Sequence, residues 1–133
     1  MTSGNDSYAD KQLKAQASAL LNSLAPAGWL VAAEQPARNG AVRVTSPDSE
    51  TRSIDVIPCD GLRPRDVVGL PDPTRPTVVA ATWLSPRTRE LLAARQIGYV
   101  DLSGNVYLSL DRPGLAIRAQ GAQRAPSPEP EPG

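Results

Sequence analysis

Apolar residues recur at helical spacing near the start of the chain. They follow a polar stretch, residues 1–10, that we expect to be disordered. Ser7 and Asp10 form a helix-start signal, and Pro26 and Gly28 predict where the helix ends. Between these signals the apolar positions form one amphipathic stripe, made of Leu13, Ala17, Leu20, Leu21 and Leu24.

Three short stretches of strand-forming residues follow, at 29–34, 41–45 and 53–59. The dipeptide Asn39-Gly40, a strong signal for a tight hairpin, separates the first two stretches. A second turn is predicted at 46–49, directly before the third stretch. The three stretches therefore predict an antiparallel meander.

An uncharged apolar run at 77–83 is typical of a central strand that is buried on both faces. Pro64 predicts a short helix before this run, and Ser85-Pro86 predicts a longer helix after it. Three short strands are predicted at 99–102, 106–110 and 115–118. The predicted fold is α/β (α+β), a mixed sheet flanked by helices in the order α-β-β-β-α-β-α-β-β-β, with a right-handed parallel crossover at 77–102.

Composition excludes several kinds of site. The chain has 133 residues, no His and one Cys, which excludes imidazole-based catalysis, multi-cysteine zinc sites and an internal disulfide. Its net charge of zero gives no bulk attraction to nucleic acid. We expect one domain over 11–121 and a Pro/Glu-rich tail or linker over 122–133. With no export signal and no membrane-length apolar run, we expect a cytoplasmic protein without a membrane partner.

The order α-β-β-β-α-β resembles the restriction-endonuclease-like (PD-(D/E)xK) fold. Such nucleases bind Mg²⁺ through an Asp at one strand end and an acidic residue on the next strand, with a Lys two positions further on. Asp48 and Asp55 match the two acidic positions, but Ile57 stands where the Lys is expected. Glu34 is a candidate third carboxylate. We therefore treat these carboxylates as vestigial, and we expect no enzyme activity, no cofactor and no resident metal.

Each carboxylate also has a structural interpretation. Asp48 is a common type of turn former, Asp55 fits an exposed strand residue, and Glu34 fits an exposed charge at a strand end. Under this interpretation no vestige of a nuclease site is present at all.

The segment 84–108 resembles a stretch of actinobacterial helix-turn-helix regulators and of AbiEi-like antitoxins. In those proteins a strand, a helix that starts with Ser-Pro and a hairpin with a D-x-x-G-N turn occur together. The matching hairpin residues are Gly98, Tyr99, Asp101, Gly104, Asn105 and Leu108. The resemblance covers about residues 29–121 and implies a degenerate endonuclease domain, usually accompanied by a winged helix-turn-helix. In this sequence the Pro/Glu-rich segment 122–133 occupies the position at which those proteins continue into a helix-turn-helix.

The turn at 101–105 has two interpretations. Gly104 and Asn105 tolerate positive φ, and Asp101 can accept backbone N–H bonds across the turn, which favours a structural hairpin. The alternative is a nest of amides that binds a ligand or a phosphate.

Arginine is the main cation, with 12 Arg against 2 Lys, and it supplies the candidate contacts with nucleic acid. Arg63 and Arg65 border the loop before the central strand. Arg87 and Arg89 lie in the first turn of the second long helix, where free amides and the helix dipole attract phosphate. The alternative is that Arg89, Glu90 and Asp66 simply form surface ion pairs.

Three functional hypotheses remain open from the sequence. The leading one is a non-catalytic, nuclease-like module associated with DNA binding or transcriptional regulation, in a setting such as defence. The alternative is a protein-interaction or dimerisation module that acts without nucleic acid, on a protein partner or as a homodimer. The third is an active Mg²⁺-dependent nuclease, which the missing Lys disfavours.

Overall fold

The computed structural model describes residues 8–33, 41–111 and 114–124. Within these residues the elements are α1 (Tyr8–Leu24), β1 (Leu30–Ala33), β2 (Val42–Thr45), β3 (Thr51–Pro58), α2 (Pro64–Val68), β4 (Thr77–Ala81), α3 (Pro86–Ala94), β5 (Gly98–Asp101), β6 (Val106–Asp111) and β7 (Gly114–Ala119). The predicted order of helices and strands is confirmed. The Asn39-Gly40 turn lies outside the described residues.

The seven strands form one mixed sheet in which neighbours follow chain order from β1 to β7. β1, β2 and β3 pair antiparallel, β3, β4 and β5 pair parallel, and β5, β6 and β7 pair antiparallel. The connection from β3 to β4 contains α2 and the connection from β4 to β5 contains α3. Each connection between parallel strands has to cross back over the sheet. The uncharged run forms β4 at the centre of the sheet, and its residues 78–81 are all buried, as predicted.

Each side of the sheet has its own hydrophobic core, because successive side chains of a strand point to opposite faces. α1 covers one side, where the larger cluster includes Ala17, Leu21 and Val100. α2 and α3 cover the other side, where Val67 and Leu92 belong to a second cluster. The two short helices therefore share the layer opposite α1.

The predicted ends of the domain both need correction. α1 begins at Tyr8, so residues 8–10, predicted to be disordered, are helical, while residues 1–7 lie outside the described part of the chain. At the other end, the carbonyl oxygen of Ala122 accepts from Trp83 Nε1 (3.0 Å), and Gln123 donates to Asn105 Oδ1 (3.3 Å). The first residues assigned to the tail therefore pack on the domain.

Candidate functional site

Asp48 and Asp55, two of the three candidate carboxylates, do not meet in the structure. Asp48 is exposed in the turn between β2 and β3, where its N–H donates to Ser46 Oγ (3.2 Å). Asp55 lies four residues past Thr51, the first residue of β3, which is about 13 Å along an extended strand. Because ligands lie roughly 2 Å from a shared Mg²⁺, these two carboxylates cannot bind the same ion. Glu34 lies outside the described residues.

Asp55 has a different partner on the surface. Its Oδ1 lies 3.0 Å from Nη2 of Arg75, in an ion pair that is partly exposed on both sides. Ile57, at the position of the nuclease Lys, is an apolar side chain with 43% exposure. Among the described residues, no group of three or more His, Cys, Asp and Glu side chains is placed to hold a metal ion. The geometry at Asp55 is therefore that of a surface ion pair.

Arg63 and Arg65 are both exposed at the start of α2. The Asp66 carboxylate accepts from the backbone N–H of Arg63 (2.9 Å) and from its Nε (3.2 Å). The backbone bond, followed by the guanidinium, lowers the pKa of Asp66 below its usual value. Asp66 is therefore ionised at neutral pH, and its stabilising effect is lost only as the pH falls through the lowered pKa.

Arg87 and Arg89 lie in the first turn of α3 but in different surroundings. Arg87 is exposed, with its Nη1 3.3 Å from Oε1 of Glu90. Arg89 is buried, and its Nε donates to the carbonyl oxygen of Leu84 (3.1 Å) while its Nη2 donates to Gln123 Oε1 (2.9 Å). Contrary to the prediction, Arg89 is not available to nucleic acid, because its guanidinium is held inside the domain.

The exposed arginines of α2 and α3 lie in one layer, because the two helices contact each other opposite α1. We call Arg63, Arg65 and Arg87 the arginine surface. The start of α3 is already capped, since Ser85 Oγ accepts from the N–H of Thr88 (3.1 Å). Attraction of an anion to this layer therefore rests on the arginine charges more than on free helix amides.

The turn between β5 and β6 is built around the fully buried carboxylate of Asp101. Its Oδ1 accepts from the N–H of Ser103 (3.0 Å), the hydroxyl of Ser103 (2.7 Å) and the N–H of Asn105 (3.1 Å). Its Oδ2 accepts from the N–H of Leu84 (2.9 Å) and from Asn105 Nδ2 (2.8 Å). The prediction that Asp101 accepts N–H bonds across the turn is confirmed, and these bonds offset the cost of burying it.

Gly104 and Asn105 have separate roles in this turn. Gly104 has a φ of 110°, which confirms the predicted positive φ and explains the need for glycine. Asn105 instead has an ordinary φ and a fully buried side chain. Its Oδ1 accepts from the N–H of Gly121 (2.7 Å), and its Nδ2 donates to the carbonyl oxygen of Ala122 (2.9 Å). Asn105 therefore connects the turn to the chain segment after β7.

The amides of the turn are already used. The N–H groups of Ser103 and Asn105 donate to the Asp101 carboxylate, and the N–H of Gly104 donates to the Asp101 carbonyl oxygen (3.0 Å). A phosphate nest requires such amides to be available. The structural interpretation of the turn is therefore favoured over the ligand-binding one.

Sequence reasoning missed the residues that complete this network, Ser103 and the segment 121–123. Ser103 Oγ accepts from the N–H of Ala122 (2.9 Å), and Gln123 bonds to both Asn105 and Arg89. Gly121 lies so close to the Ser103–Gly104 backbone that a Cβ would not fit. Gly121 is the sequence feature that could have indicated this packing of 121–123 on the turn, since glycine often marks a close backbone approach.

The thiol of Cys59 lies after β3 and packs against the cluster under α2 and α3. Burial raises the pKa of this thiol, and the negative charges of Asp10 and Asp66 raise it further. Cys59 is therefore protonated near neutral pH, which is unfavourable for a nucleophile.

Neither a family model, nor a curated protein, nor a solved structure matches this chain. Over segments 8–33, 41–111 and 114–124, no helix combines the length and the apolar character needed to cross a membrane.

Proposed function

We propose that the chain is a non-catalytic, restriction-endonuclease-like module that binds the DNA backbone through the arginine surface, in a regulatory or defence-related setting. The observation that carries the proposal is the exposure of Arg63, Arg65 and Arg87 on two neighbouring helices of one layer. Guanidinium groups suit phosphate geometry, and phosphate contacts fix a protein on DNA without reading its sequence.

The nuclease-like part of the proposal is supported by topology. A first helix leads into the β1–β2–β3 meander, and α2 then carries the chain to the parallel strand β4. The non-catalytic part rests on the separation of Asp48 from Asp55 and on Ile57 at the position of the Lys. Because Asp48 and Asp55 lie apart, these two carboxylates would not hold a Mg²⁺ ion between them.

The acidic partners of the arginine surface are not a barrier to phosphate binding. In the pair Arg87–Glu90 both side chains are more than 60% exposed, and in Arg63–Asp66 the exposures are 60% and 37%. Such exposed ion pairs are weak because water screens them, so a phosphate group can replace the carboxylate. Because the net charge is zero, we expect binding to be weak, non-specific and sensitive to salt.

The salt dependence of binding tests the proposal. Each phosphate contact adds about 0.9 to the slope of log K against log salt, so Arg65→Ala combined with Arg87→Ala should make the slope shallower by about 2. The measurement is fluorescence anisotropy of a labelled DNA duplex over a series of salt concentrations. With Mg²⁺ present, the duplex should be recovered uncut.

The matched control is Arg43→Ala combined with Arg118→Ala, which removes two exposed arginines of β2 and β7. This variant should keep the wild-type slope. If the slope of log K against log salt becomes shallower in the control but is unchanged in the first variant, the DNA-binding surface does not include α2 and α3. Cleavage that is lost in Asp55→Ala would contradict the non-catalytic part of the proposal.

One observation favours the alternative, a protein-interaction or dimerisation module. β7 ends the sheet with six residues, and among the described strands only β6 pairs with it. The outer edge of such a strand can pair with a strand of a second chain. If the protein does not bind DNA at low salt and light scattering shows a dimer, these results would support this alternative.

A further inference from the structure

A pocket of about 340 Å³ lies on the α2–α3 side of the sheet. Its floor includes Ile57 of β3 and Val79 of β4, and its walls include Leu70, Pro71 and Ile97. Most of this lining is apolar, and among the described residues that line it none belongs to the arginine surface. The pocket is therefore separate from the proposed DNA contacts.

The loop that forms one wall of the pocket is held in place at both ends. Nη2 of Arg95 donates to the carbonyl oxygen of Leu70 (2.7 Å) and to Asp72 Oδ1 (2.8 Å). Further along the loop, Arg75 is paired with Asp55 of β3 (3.0 Å). Because these contacts hold the loop without a ligand, binding would require little ordering of the chain.

Charges at the rim of the pocket are balanced. The two carboxylates there belong to Asp55 and Asp72, and each is paired with an arginine, Arg75 and Arg95 respectively. A rim of this kind attracts neither anions nor cations. Apolar walls under a balanced rim suit a ligand without charge, because a buried unpaired charge is costly.

We infer that this pocket binds a small, neutral, mainly apolar organic molecule of a few rings. Its volume of about 340 Å³ lies near the lower end of the range of ligand pockets, roughly 300–1,000 Å³. The occupant would replace water against Ile57, whose apolar side chain is 43% exposed. This inference does not depend on DNA binding, since the two surfaces share no residue.

Phenylnaphthylamine, a neutral amine whose fluorescence rises in apolar surroundings, is a suitable probe. It should bind the wild type, and Ile57→Asp, which places a charge in the pocket floor, should weaken binding about tenfold or more. Val68→Asp puts the same charge on an exposed apolar residue of α2 outside the pocket, and it should leave Kd unchanged. Anilinonaphthalene sulfonate, which has the same rings and an added anionic group, should bind about tenfold more weakly than the neutral probe.

Cys59 gives a second, independent readout because it lines the pocket and is the single cysteine of the chain. With the probe at about ten times its Kd, alkylation of Cys59 by N-ethylmaleimide should be about tenfold slower. Mass spectrometry of the intact protein measures the rate, and the chain unfolded in urea should show no protection. The inference is overturned if the wild type does not bind the probe, if both Asp variants lose binding equally, or if binding leaves Cys59 unprotected.

Discussion

Replacing Asp101 with asparagine is expected to lower the free energy of unfolding by about 4 kcal/mol. Five donors converge on the two oxygens of this fully buried carboxylate, from Leu84, Ser103 and Asn105. An amide has a single acceptor oxygen, and its NH₂ group would point at donors. At least two buried donors would therefore lose their acceptor, each at about 1–3 kcal/mol.

Thermal unfolding followed by circular dichroism measures this effect. A loss of about 4 kcal/mol corresponds to a fall in Tm of roughly 15 °C for a domain of this size. The matched control is Asp111→Asn, which changes an exposed carboxylate at the end of β6 and should shift stability by about 0.5 kcal/mol or less. If Asp101→Asn melts as the control does, the buried carboxylate is not what stabilises the turn.

Gly121→Ala is expected to destabilise the fold by about 3 kcal/mol. A Cβ at this position would lie 2.5 Å from the carbonyl carbon of Ser103 and 2.8 Å from that of Gly104, and both are backbone atoms. The segment would have to move away from the turn. That movement would break the bonds that Asn105 makes to the N–H of Gly121 and to the carbonyl oxygen of Ala122.

Chemical denaturation gives the free energy of unfolding of this variant directly. Gly69→Ala is the matched control, because a Cβ on Gly69 meets only the Asp66 carbonyl oxygen at 3.7 Å, an ordinary contact. We expect the control to stay within about 0.5 kcal/mol of the wild type. Equal stability of the two variants would show that the segment after β7 adds nothing to the fold.

The elements with a local signal could be predicted from the sequence. The uncharged run at 77–83 contains the central strand β4, and Ser85-Pro86 forms the start of α3. The sequence also predicts the roles of Asp101 and Gly104 in the turn, because carboxylate acceptors and glycine are local requirements of such turns. In each case the physical cause lies within a few residues of the position concerned.

What could not be predicted depends on contacts between distant parts of the chain. The buried guanidinium of Arg89 donates to the side chain of Gln123, which lies 34 residues further along the chain. No periodic pattern in the sequence predicts this contact. The segment 121–123 has the polar composition of a linker, yet its backbone bonds to the side chains of Ser103 and Asn105. The apolar pocket likewise depends on Arg95 reaching Leu70, 25 residues earlier.

Amide chemical-shift mapping with a short DNA duplex tests the central proposal most directly. If the arginine surface binds the DNA backbone, the largest shifts should occur at α2 and at the first turn of α3, including the amides of Arg65 and Arg87. These shifts should fade as salt is added, because the contacts are made with phosphates. Shifts confined to β1 and β2 or to β6 and β7, or no shifts at low salt, would contradict the proposal.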